Sequence, residues 1–152
     1  MWEFGCRYKI RKLEENEIEL ALVLSFNEMI NNTAFRKFKD NEEKARIAYI
    51  KLAKKHHIYN STEYYGLFLS DELIGVIEIC DNYINQLAIR SAYQKKGLGG
   101  YLLNSTVVCD KKIMVDAARE AVWFYEKLGF VKCSESEVLK PSIKMKRIGG
   151  IK

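Results

Sequence analysis

Two hydrophobic periods alternate along this chain, and each change of period marks an element. Tyr8 to Arg11 alternates in the manner of a first strand. From about Glu14 to Ile30 the apolar positions Ile18, Leu22, Phe26 and Met29 recur near the helical period. Acidic residues crowd its first turn, where the helix dipole favours them. A second helix is predicted from about Glu42 to Lys55, with Ala45, Ala48 and Leu52 as its inner face and Asn60 and Ser61 closing the region. Tyr64 to Leu69 and Leu73 to Cys80 read as strands joined by a tight turn at Ser70-Asp71-Glu72. A further strand, Tyr83 to Ile89, runs into a glycine-bearing loop. The helix after it, Leu98 to Cys109, presents Leu98, Tyr101, Leu102 and Ser105 on one face. A strand from Lys112 to Val115 follows. The next helix turns Ala121, Phe124, Tyr125 and Leu128 inward, and Gly129 is positioned to cap it. Phe130 to Cys133 and Ile143 to Arg147 complete the pattern as strands.

Hairpins dominate the first half and strand–helix–strand units the second. That order implies an α/β fold of the mixed α+β kind: a central mixed, mostly antiparallel sheet of about six to seven strands flanked by about four helices, with helices on both faces. At 152 residues, with 48% hydrophobic content and a single proline, the chain is expected to form one domain over residues 1–148, with 149–152 as a flexible tail.

Composition narrows the function classes. No apolar run approaches the roughly 20 residues needed to cross a bilayer, and Met1 to Lys12 is too charged for a signal peptide. Cys6, Cys80, Cys109 and Cys133 form no C-x-x-C pair, and the neighbours His56 and His57 face different ways on a helix. No metal is expected, and a reduced, cytoplasmic thiol set is the default. The net charge of +5, from 25 basic and 20 acidic residues, suits a polyanionic small ligand. Without a basic stripe interleaved with aromatics, nucleic acid is not an expected partner, and neither is a membrane.

The chemistry concentrates at Gln94-Lys95-Lys96-Gly97-Leu98-Gly99-Gly100, between the apolar run Leu87-Ala88-Ile89 and the helix continuing through Tyr101-Leu102-Leu103. Glycines let the backbone turn tightly, so successive N–H groups point into one space. The helix start adds its dipole and unpaired first-turn donors, and the two lysines add charge. This is a cradle for phosphate oxygens. A nucleoside-triphosphate loop reads G-x-x-x-x-G-K-[ST], and no Lys-Ser or Lys-Thr follows the glycines here. A dinucleotide fingerprint needs a third glycine where Leu102 stands. What remains is Q-x-x-G-x-G after a strand. The segment from Leu87 to Gly99 resembles the acyl-CoA-binding motif of the GNAT-type N-acetyltransferase superfamily. Downstream, Ala121-Val122-Trp123-Phe124-Tyr125-Glu126-Lys127-Leu128-Gly129-Phe130 resembles that family's second hallmark, A-x-x-F-Y-E-K-L-G-F, in the right order and with a strand between the two.

The resemblance implies a GNAT-like acyl-CoA N-acyltransferase fold and an acetyl-CoA-dependent N-acetyltransferase, with acetyl-CoA as acyl-donor co-substrate. Its cofactor-binding positions carry over to Leu87, Ala88 and Ile89, where backbone groups of Leu87 and Ile89 pair with the pantetheine arm as though it were an added strand. They also carry over to Gln94, Lys95, Lys96, Gly97, Leu98, Gly99 and Gly100 around the pyrophosphate, and to Ala121 and Phe124 on the second-motif helix. Lys95 or Lys96 is in sequence reach of the ribose phosphate; solvated lysines are the alternative. One position departs from the pattern. Ala118 stands where many relatives have an asparagine that contacts the pantetheine arm.

Acetyl transfer to an amine needs the amine without its proton and a leaving thiolate that can be protonated. At pH 7, freeing an amine of pKa ~10.4 costs about 4–5 kcal/mol, which a carboxylate can help to supply by taking the proton. Tyr125 matches the family tyrosine that faces the coenzyme sulfur and is the proton-donor candidate; a core aromatic beside Phe124 is the alternative. Glu78, in the otherwise apolar Ile74-Gly75-Val76-Ile77-Glu78-Ile79, is the candidate base, either buried toward the cleft or exposed on the far face. Asp81 is a secondary candidate. Where some relatives keep an acid, this chain has Tyr83, Ile84 and Asn85, which favours a water relay. The expected acceptor is a small-molecule or peptide amine, and the expected assembly a monomer or homodimer. A non-catalytic acyl-CoA-binding regulatory domain and an acylator of nucleic-acid-linked amines are the competing classes.

Overall fold

The computed structural model describes residues 7–30, 38–107, 111–133 and 142–148. The expected tail at 149–152, Cys6, Cys109 and the end of the helix predicted to reach Cys109 lie outside the described residues. Seven strands are present among them: β1 Tyr8–Lys12, β2 Glu63–Leu69, β3 Glu72–Cys80, β4 Tyr83–Ile89, β5 Ile113–Ala118, β6 Val131–Lys132 and β7 Ser142–Arg147. They make one sheet in the order β1-β2-β3-β4-β5-β7-β6. Four helices accompany it: α1 Ile18–Met29, α2 Glu42–Asn60, α3 Leu98–Thr106 and α4 Val122–Lys127. Every strand pairing is antiparallel except β4 with β5. The mixed, mostly antiparallel sheet expected from the pattern is therefore the one observed.

The sheet separates two apolar clusters. On one face Leu67, Ile74, Ile77 and Ile84 meet Leu98, Leu102 and Leu103 of α3 and Tyr125 of α4. On the other, Leu73 and Val76 meet Ile18, Ala21, Leu22 and Leu24 of α1, with Tyr49, Ile50 and Ala53 of α2 packed against them. Alternation along β3 sends neighbouring side chains to opposite clusters, so one strand serves both.

Helix α2 differs most from expectation. It runs five residues beyond Lys55 to Asn60, and Leu52, expected inside, is 67% exposed. Its inner line is Tyr49, Ile50, Ala53 and His57. A histidine is affordable inside because both ring nitrogens have partners there, Nδ1 with Thr62 Oγ1 at 2.9 Å and Nε2 with Glu15 Oε2 at 3.0 Å. Helix α3 also turns differently. Leu103 is buried where Ser105 was expected, and Ser105 is exposed. Strand β5 extends to Ala118 because Ala117 and Ala118 pair with Ile143 and Ser142 of β7.

Candidate active site

Strands β4 and β5 pair at only two positions, Tyr83 with Met114 and Ile84 with Val115. Beyond them β4 continues to Ile89 and β5 to Ala118, so the sheet forks. The fork has a cause in β4. Glu78 pairs with Gln86 but Ile79 pairs with Ile84, which leaves Asn85 as an extra residue on β4. Such a bulge bends its strand and breaks the ladder locally, and this one falls where pairing with β5 stops. Arg90 N–H donates back to the Ile74 carbonyl of β3 at 2.8 Å. By alternation, the backbone groups of Leu87 and Ile89 then face the open side of the fork. The Ile89 carbonyl is taken by Gln94 Nε2 at 2.8 Å.

The fork opens into a cavity of about 930 Å³ between β4, the glycine-bearing loop, α3 and α4. Of the sequence-predicted positions, Leu87, Ile89, Gln94, Lys95, Gly97, Leu98, Gly99, Gly100, Ala121, Phe124 and Tyr125 line it. Ala88 does not, since its side chain packs against the α1 and α2 cluster, and Lys96 is exposed outside the lining. Tyr93, Trp123 and Lys127, which lie within the two motifs without an assigned role, also line the cavity, as do Tyr101, Asn104 and Ser105 of α3. Asn104 and Ser105 begin the polar Asn104-Ser105-Thr106 run that ends α3.

Local geometry explains the loop. Gly97 has φ of 83°, in the left-handed region that favours glycine, and it is the N-cap of α3 with no side-chain cap. The first bond of the helix runs from Tyr101 N–H to the Gly97 carbonyl at 3.1 Å. The N–H groups of Leu98, Gly99 and Gly100 therefore precede the ladder and belong to cavity-lining residues. Gly99 is needed for another reason. A Cβ there would lie 3.0 Å from Phe124 Cζ, so its smallness lets α3 approach α4. The loop is also tied from outside. Glu28 of α1 accepts from Ser91 N–H at 3.1 Å, Ser91 Oγ at 2.9 Å and Gln94 Nε2 at 3.2 Å.

Tyr125 sits in the cavity wall among aromatic rings, with Phe124 at 5.0 Å and Phe130 at 5.3 Å between centroids, both tilted edge-on. Burial pushes its hydroxyl above the ordinary tyrosine pKa, so it remains a neutral donor. Glu78 is neither of the two things expected of it in simple form. It is 4% exposed, and it lies outside the cavity lining. Its Oε2 accepts from Thr62 Oγ1 at 2.7 Å and lies 3.8 Å from His56 Nδ1. The hydroxyls of Tyr49 and Tyr64 are buried beside Glu78, and burial followed by the Glu78 charge pushes both above the ordinary tyrosine value. Glu78 pairs with Gln86, the residue next to the bulge. A buried acid thus stands one register position from the fork.

A family model described as an acetyltransferase (GNAT) domain matches residues 23–147. The chain belongs to the GNAT acetyltransferase family. It is accordingly an acyltransferase, with acetyl-CoA as its donor. No curated protein matches it. Among solved structures, the PaiA N-acetyltransferase of Thermoplasma acidophilum in complex with coenzyme A is 21% identical, with a TM-score of 0.68 over 93% of this chain and 98% of that one. A histone acetyltransferase HPA2 and related acetyltransferase from Corynebacterium glutamicum is 16% identical, with a TM-score of 0.73 over 96% and 98%. A spermidine N-acetyltransferase SpeG chimera from Vibrio cholerae and hSSAT is 19% identical, with a TM-score of 0.62 over 93% and 95%. At these identities the likeness establishes the GNAT fold. Among the described residues, no group of three His, Cys, Asp or Glu side chains is placed to hold a metal ion, and no helix is long and apolar enough to cross a membrane.

Proposed function

We propose that this GNAT domain moves an acetyl group from acetyl-CoA to a primary amine by direct attack of the amine on the thioester carbonyl. The observation that carries the reading is the fork itself. It leaves Leu87 and Ile89 backbone groups unpaired by β5, and it opens on the cavity that holds the uncapped start of α3 at one wall and Tyr125 at another.

Each part has a task. An extended amide chain adds to the open edge of β4 as a strand would, through Leu87 and the Ile89 N–H, because the Ile89 carbonyl is already bound to Gln94. The N–H groups from Lys95 to Gly100 receive the pyrophosphate, with the helix dipole and Lys95 supplying positive potential. The amine loses its proton to Glu78, directly or through one water across the bulge at Asn85. As the C–N bond forms, the C–S bond breaks and its electron pair leaves on sulfur. Tyr125 donates a hydrogen bond to that sulfur. A phenol is already a weaker acid than a thiol and burial weakens it further, so its contribution lies in stabilising the charge developing on sulfur in the transition state; the thiol is completed by the second proton of the attacking nitrogen, lost as the amide forms. The cavity and the fork fit the donor; the amine side lies toward α1 and α2, where an acid is already buried.

The test is release of free thiol from acetyl-CoA with a panel of amines: diamines, aminoglycosides, free lysine and peptides with free N-termini. Turnover with at least one class, dependent on Glu78 and Tyr125, is expected. Tight acetyl-CoA binding without turnover by any amine would replace the reading with that of an acyl-CoA-binding regulatory domain.

A further inference from the structure

The proposed reaction releases one proton per turnover, because the acceptor enters as an ammonium and leaves as a neutral amide. If Glu78 takes that proton, it must pass it to solvent before the next turnover, yet the residue is 4% exposed. A continuous chain of hydrogen bonds leads away from it. Thr62 Oγ1 is 2.7 Å from Glu78 Oε2, His57 Nδ1 is 2.9 Å from Thr62 Oγ1, and Glu15 Oε2 is 3.0 Å from His57 Nε2. The Glu15 side chain is 83% exposed. We propose that Thr62, His57 and Glu15 form a proton exit from Glu78 to bulk water. This rests on the reading of Glu78 as the base.

The bonds suit the task in direction as well as length. When Glu78 holds the amine proton, it donates to Thr62, Thr62 donates to His57 Nδ1, and His57 Nε2–H donates to Glu15. One shift along each bond moves a proton from Glu78 to Thr62, the Thr62 proton to Nδ1 and the Nε2 proton to Glu15, which gives it to water. Charge balances at every step. Rotation of the hydroxyl, and reorientation of the imidazole so that its Nδ1 proton is lost to water while Nε2 takes one up, restore the start without returning a proton to Glu78. The other groups facing Glu78 do not offer this exit. Among the described residues, the hydroxyls of Tyr49 from α2 and Tyr64 from β2 are buried and neither is bonded onward to a group that reaches solvent, and burial with the Glu78 charge keeps them protonated. His56 of α2 is 3.8 Å from Glu78 Oε2, beyond hydrogen-bond reach. Around the far end, Glu17 is engaged with Arg11 at 2.7 Å and 2.9 Å, which leaves Glu15 as the acid on His57.

The measurement uses acetyl-CoA and the fastest amine of the panel, in dilute buffer and then with rising imidazole. Thr62→Val and His57→Gln are expected to lower kcat about a hundredfold in dilute buffer, the low end of the range for loss of a proton-transfer group. Acetyl-CoA affinity should stay as in the wild type. Imidazole should restore most of the loss in His57→Gln, and Thr62→Ser should recover most of what Thr62→Val loses. His56→Gln should leave kcat unchanged. A purely structural role for the chain predicts no rescue by buffer and no difference between serine and valine, and that result overturns the relay. Loss in His56→Gln with none in His57→Gln overturns it too. Inactive Glu78→Gln with wild-type Thr62→Val removes the relay and keeps the base; fully active Glu78→Gln, or an absence of turnover with every amine, removes both.

Discussion

Tyr125 shows how one side chain can satisfy a structural and a chemical demand at once. Its ring fills the space between Phe124 and Phe130, and this packing is what removes its hydroxyl from water and raises its pKa. The ring and the hydroxyl can be separated experimentally, because Tyr125→Phe keeps the former. The variant is expected to fold with wild-type stability and to bind acetyl-CoA with unchanged affinity. Its kcat should fall about 10²-fold, the scale for one donor lost from a developing charge. Stopped turnover with a weakened coenzyme complex would instead make the residue part of the binding wall. A second residue-scale feature sits at Gly99, where absence of a side chain is the function: Phe124 Cζ stands where a Cβ would need room.

At the scale of elements, the phosphate loop does not stand alone. Glu28 reaches from α1 to hold Ser91 and Gln94, and Gln94 in turn holds the Ile89 carbonyl, so the end of β4, the loop and α1 share one carboxylate. Replacing Glu28 with alanine frees the loop without touching the cavity lining. The acetyl-CoA dissociation constant should rise about tenfold, equivalent to about 1.4 kcal/mol, while kcat at saturating coenzyme holds. Titration calorimetry decides this, and an unchanged constant would mean the loop orders itself. This coupling was invisible in the sequence because its partners are 63 and 66 residues apart. What was legible is what is local: the strand-to-helix turn around Gly97, the face carrying Ala121, Phe124, Tyr125 and Leu128, and the alternation of β7. The inner face of α2 follows its tertiary partners rather than the apolar stripe. Ala45, Ala48 and Leu52 are the apolar stripe by composition, but His57 is held inside by Thr62 and Glu15, and on its side of the helix Tyr49, Ile50 and Ala53 pack, partly buried, against the α1 cluster. The fork was likewise hidden, since the bulge at Asn85 exists only in the register between β3 and β4.

Over the whole molecule, burial raises phenols most strongly at three positions on the two sides of one sheet: Tyr49 and Tyr64 in the α1 and α2 layer, and Tyr125 in the layer of α3 and α4. Their linkage has the same sign. Each folded pKa lies above the unfolded value of about 10, so each contribution is fully present below pH 10 and is lost as pH rises through the folded value. Above pH 10 the unfolded chain has released protons that the native chain keeps. Stability should therefore be flat with respect to these groups up to about pH 9 and then fall, with a limiting slope of about 4 kcal/mol per pH unit if all three titrate in the unfolded chain alone. Urea denaturation between pH 8 and pH 11 measures it. Tyr125→Phe provides the internal check, because removing one phenol should reduce the slope by about 1.4 kcal/mol per unit without moving the plateau. An identical slope in the variant would mean that the Tyr125 hydroxyl ionises in the native state as it does in water. Its neutrality in the cavity, and with it the hydrogen bond offered to the leaving sulfur, would then be lost.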